Sequence, residues 1–78
     1  MIRFKDLYPI IDKSNLFITD EHCAVLANLN VSLGLETYHT ERDKARSLVA
    51  EDKYLVAKIV HCSSNDPFIA LELVKEDA

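Results

Sequence analysis

One glycine, two prolines, two cysteines and no tryptophan stand in a chain of 78 residues, and each scarcity removes a class of function. A single glycine cannot build either glycine-rich phosphate loop, since both need several residues without a Cβ where the backbone approaches the phosphate. Two cysteines are too few for a disulfide scaffold, and Cys23 and Cys62 are expected to be free thiols. No stretch approaches the ~20 apolar residues of a membrane-spanning helix. The segment Met1-Ile2-Arg3-Phe4-Lys5-Asp6 lacks the apolar run of a secretory signal. A cytoplasmic protein without membrane association is therefore expected. Positive charge is also short: 9 Lys and Arg face 13 Asp and Glu, a formal net charge of −4. That balance repels a phosphate backbone and disfavours direct nucleic-acid binding. It serves solubility, and it suits a partner with a basic surface.

What the chain does contain is apolar side chain, 49% of its residues, enough for regular folding rather than disorder. The length fits one domain, residues 1–78, with no room for a second core of similar size. Phe4, Leu7, Tyr8 and Ile11 recur at helical spacing, predicting a short helix with Asp6 as N-cap and Pro9 in its first turn. Leu16–Thr19 and Cys23–Ala27 flank a polar turn, Asp20-Glu21-His22, and read as a hairpin. Leu29, Val31, Leu33 and Leu35 alternate with polar residues, which predicts a half-buried strand bent near Gly34. Thr40-Glu41-Arg42-Asp43 has capping-box spacing and opens a second helix over about 41–52. Tyr54–His61 and Phe68–Val74 form a second hairpin around a Ser-, Asn- and Pro-rich turn, with residues 74–78 as a frayed charged tail. The expected fold class is α+β: a small antiparallel sheet of four or five strands with two short helices on one face, in the order helix, hairpin, helix, hairpin.

Chemistry-bearing sets are few. His22-Cys23 and His61-Cys62 supply the ligand types of a tetrahedral zinc site, but neighbouring residues in extended backbone point to opposite faces, so no metal and no cofactor are expected. Asp20, His22 and Cys23 contain the parts of a cysteine nucleophile and base. Neither cysteine sits at a predicted helix N-terminus or beside Lys or Arg, so nothing local activates a thiolate. Carboxylate pairs at Asp20-Glu21 and Glu51-Asp52 belong to solvated element ends. Aromatic residues, Phe17 and Phe68 among them, fall mostly on predicted core faces, which is not the pattern of a base-stacking sheet. A non-enzymatic protein is expected. Its partner-facing residues are Asp20 and Glu21 in the first turn, Tyr38 and His39 in a connecting loop, and Glu41 and Asp43 on the charged helix face.

The run Phe4–Asp12 followed by Leu16–Asp20, with the closing pair Leu55–Ile59 and Phe68–Leu73, resembles small accessory proteins of phages and mobile elements. The likeness spans most of the chain and is architectural, without a signature motif. Among such proteins are anti-CRISPR inhibitors, short and often acidic, which occupy a surface of a nuclease complex. The resemblance implies a protein partner of that kind, possession of no enzymatic activity, and no transferable binding residue. Two other readings stand beside it: a small homo-oligomeric structural or assembly protein joined through sheet edges, and a zinc-dependent interaction module.

Overall fold

The computed structural model describes residues 1–76. Helix α1 spans Phe4–Ile11, and Arg3 rather than Asp6 is its N-cap, in extended backbone without a side-chain cap. Asp6 lies instead in the first turn, where a carboxylate suits the positive end of the helix dipole. Pro9 is thus inside the helix on its exposed side, and the helix stops two residues later. The missing Pro9 donor therefore interrupts only the last turn. The apolar face holds as expected: Phe4 and Tyr8 are buried with ring centroids 5.4 Å apart, and Leu7 and Ile11 pack against the core.

Strands β1 (Leu16–Asp20) and β2 (Val25–Leu29) form the first hairpin, pairing Leu16 with Leu29 and Ile18 with Ala27. The half-buried strand expected over residues 29–36, whether continuous with 24–27 or separate from it, does not form beyond Leu29. Leu16 is the first residue of β1, so β2 has no ladder partner beyond Leu29. Asn30 then turns the chain, its Oδ1 accepting from the Ser32 backbone N–H (2.9 Å) and hydroxyl (2.7 Å). A local side-chain acceptor of this kind competes with strand pairing. The result is a 3-10 turn over Val31–Leu33. Gly34, at φ 98° and ψ 151°, joins that turn to helix α2, in a region of backbone space reserved for glycine.

Helix α2 runs from Leu35 to Glu51, about one and a half turns longer than the capping-box reading. Thr40 is no cap: its hydroxyl donates to the Glu36 carbonyl (3.1 Å) within the helix. The early start carries the chain past the sheet to the end where β2 began. Strand β3 (Tyr54–Cys62) therefore runs parallel to β2, and its hairpin partner β4 (Phe68–Lys75) runs parallel to β1. The sheet order is β2-β1-β4-β3, so the sheet is mixed, not antiparallel throughout as expected. Each hairpin is antiparallel internally; the parallel seam lies between them, from Leu16 opposite Ile69 to Asp20 opposite Leu73. Val74 and Lys75, assigned in sequence to a frayed tail, pair with Leu55 and Tyr54, and the Glu76 N–H donates to the Lys53 carbonyl. Residues 77–78 of that tail lie outside the described residues.

Leu16, Ile18, Ala27, Leu29, Leu71, Leu73 and Val56 form the sheet's contribution to the core, closed by Phe4, Tyr8 and Ala45 from the helices. Alternation places Phe17, Thr19, Phe68, Ala70 and Glu72 on the opposite face. Phe17 and Phe68 are half-buried there, a correction to their expected core placement. No helix among the described residues is long and apolar enough to cross a membrane.

Candidate functional site

The six residues singled out in the sequence are not gathered into one surface. Asp20 and Glu21 lie in the β1–β2 turn, at the end of the sheet where α2 finishes; Tyr38 and His39 lie in the first turns of α2, at the other end. Asp20 is occupied structurally. Its Oδ1 accepts from the backbone N–H of His22 (2.8 Å) and Ala24 (3.0 Å), which ties the turn together while Cys23 adopts a left-handed φ of 64°. Those bonds, that from Ala24 foremost, hold its carboxyl below the ordinary 3.8. Glu21 is exposed, with the His22 ring 3.6 Å away.

Tyr38 and His39 are helical, not a loop, because α2 begins at Leu35. Tyr38 packs against the core, with the Arg42 guanidinium 5.8 Å from its ring centre. His39 points outward, its Nδ1 3.1 Å from the Arg42 Nη2. Glu41 faces the sheet. Its Oε1 accepts the Asn28 backbone N–H (3.2 Å), and its Oε2 pairs with Lys44 at 2.7 Å. Asp43 is exposed, and among the described residues it makes no ion pair or hydrogen bond. Of the four acids, then, two shape the fold and two remain in solvent.

The two His-Cys pairs are held apart. His61 lies opposite Ile69, which neighbours Leu16 at the start of β1, whereas His22 and Cys23 follow Asp20 at its end. Four residues of strand separate those rows, about 13 Å. Among the described residues no group of three or more His, Cys, Asp and Glu side chains is close enough to hold a metal ion.

Sequence reasoning missed the segment between β2 and α2. Val31, Leu33 and Leu35 are all exposed, at 58%, 48% and 71%, within five residues. Their alternation predicts one buried face of a strand, and without a ladder partner beyond Leu29 all three stay in solvent. It also missed the outer edge of β3, where Ile59 and Val60 are 52% and 40% exposed on opposite faces. A shallow depression on the open face is lined by Phe17, Phe68, Asn15, Asn28 and Asn30, and a second by Thr19, Cys23, Lys58, Val60 and Glu72. No family model, curated protein or solved structure matches the chain.

Proposed function

We propose that this chain is a non-enzymatic protein-binding module that docks through the segment joining β2 to α2. The observation that carries this reading is the set Val31, Leu33 and Leu35, three aliphatic side chains left in solvent within five residues, from the 3-10 turn to the first residue of α2. Contiguous exposed apolar surface rimmed by polar groups is a mark of an interaction site. Glu21 and Asp43, whose carboxylates stay in solvent, add an acidic contribution suited to a basic partner. In its narrower form the partner is a nuclease complex of a host defence system and the chain its inhibitor. That form rests on the resemblance to accessory proteins of mobile elements.

The test is interference by a CRISPR nuclease in cells expressing the chain, with the double variant Leu33→Asp, Leu35→Asp as control. Relief of interference by the native chain but not by the variant supports the narrower form. Full interference with both removes it. Capture of a defined partner by the native chain and not by the variant then decides the broader one. Glu21→Lys with Asp43→Lys isolates the electrostatic part, because neither carboxylate supports the fold.

A further inference from the structure

We propose that the outer edge of β3 is where two copies of this chain pair, antiparallel about a two-fold axis through Val60, to make one continuous eight-stranded sheet. The two edges of the sheet are finished differently. At β2 the outward Asn28 N–H is taken by Glu41. At β3 the first part is sealed by the chain's own N-terminal segment: Arg3 bridges Leu55, and the Val56 N–H donates to the Ile2 carbonyl at 2.8 Å. Beyond it, among the described residues, nothing covers the edge.

The register identifies the free groups. Because the Val56 N–H points outward, the position opposite Leu73 is one where β3 and β4 exchange no backbone bonds. Leu71 and Ile69 share the parity of Leu73, so their partners Ile59 and His61, past the bulge at Ala57, also turn their N–H and C=O outward. Two outward residues on either side of Val60 are self-complementary. Pairing Ile59 with His61 of the second copy, and His61 with its Ile59, makes four backbone hydrogen bonds, with the two Val60 side chains adjacent at the axis on the open face.

Charge favours the same occupant and the same register. Although the chain carries a net −4, no acidic residue lies between Lys53 and Asp66, so pairing along β3 sets no carboxylates of the two strands against each other. Centring on Val60 sets each Lys58 opposite the other copy's Cys62. The two lysines are then four residues apart, about 13 Å, beyond the ~8 Å screening length of physiological salt. Centring on Ile59 would bring them diagonal to one another and leave His61 facing the bulge. Exposed aliphatic residues on both faces of an unpaired strand are what natural edges avoid unless the strand is covered.

Sedimentation equilibrium of the full chain tests the pairing. The expected result is twice the chain mass for the native protein and a monomer for Val60→Lys, with unchanged circular dichroism because Val60 is outside the core. In a background with Cys23→Ser and Cys62→Ser, Val60→Cys is expected to cross-link to a disulfide dimer under mild oxidation, and Lys58→Cys is not. A native monomer at millimolar concentration overturns the proposal. So does a dimer that Val60→Lys leaves intact, or equal cross-linking at both positions. None of these outcomes bears on the docking segment around Leu33.

Discussion

The two edge strands differ in what finishes them. β2 is short, its inner residues Ala27 and Leu29 are buried, and α2 lies over it with Glu41 bonded to its outward amide. β3 is longer and covered only where Arg3 and Ile2 reach it, leaving Ala57 to His61 exposed. Helix α2 packs mainly against β2 and only slightly against β3. The position of that helix is set by Gly34, whose backbone lets α2 begin directly after the 3-10 turn and brings Glu41 opposite Asn28. That connection accounts for the closed edge, where a side chain of α2 takes the outward amide of β2.

Equivalent truncations should separate the edges most clearly. Leu29→Ala on β2 empties a fully buried site and is expected to cost about 2–5 kcal/mol, whereas Ile59→Ala on β3, measured by urea unfolding at low protein concentration, should cost less than about 0.5 kcal/mol. Gly34→Ala comes next. A Cβ there meets no atom within 4 Å, so the penalty is backbone strain alone, about 1–3 kcal/mol, and unfolding curves should show it without a change in the denaturant slope. Glu41→Ala removes the acceptor that closes β2 and is expected to cost about 0.5–1.5 kcal/mol. Glu41→Gln, which keeps an acceptor oxygen, should lose less. If both Glu41 variants match the native protein, the closed edge is not closed by this carboxylate.

The smallest expected effect is on pH dependence. Asp52 is held below 3.8, chiefly by its bond from Lys5 (2.9 Å), with Arg3 at 3.4 Å, and Asp20 is held down by turn amides. Because both carboxyls are depressed in the folded state, their stabilisation is fully present above the ordinary carboxylate range and is lost as pH falls through the lowered values. Protonating Asp52 removes its ion pairs with Lys5 and Arg3, while Arg3 keeps its pair with Glu76 and its backbone bridge to Leu55. Melting temperature should therefore fall below about pH 4, and the fall should be shallower in Asp52→Asn and in Asp20→Asn.

Much of this division was legible in the sequence, and the illegible parts have particular causes. The helical spacing of Phe4, Leu7, Tyr8 and Ile11 identified α1, and polar turns at Asp20–His22 and Cys62–Pro67 identified both hairpins. The alternation from Leu29 to Leu35 misled, because periodicity records which side chains alternate and not whether a ladder partner exists opposite them. Asn30 and Gly34 carried the contrary signal. Reading Thr40 as a cap put Tyr38 and His39 in a loop, and the true helix start turned Tyr38 inward. The parallel seam between β1 and β4 depends on where α2 ends, which hairpin patterns do not contain. For the proposed interaction residues, charge and aromaticity point to Asp20, Glu41 and Tyr38, which hold the fold, while alternation places Val31, Leu33 and Leu35 on a strand's buried face and nothing in the Tyr54–His61 run marks Ile59 and Val60 as exposed.

Residue-resolved amide hydrogen exchange of the native protein at two concentrations measures the difference between the edges directly. The Asn28 amide should show modest protection that does not depend on concentration and that disappears in Glu41→Ala. The Ile59 and His61 amides should become protected as concentration rises, and stay unprotected in Val60→Lys. Fast exchange at Asn28, or exchange at Ile59 and His61 that ignores concentration, would contradict an edge closed from within on one side and by a second copy on the other.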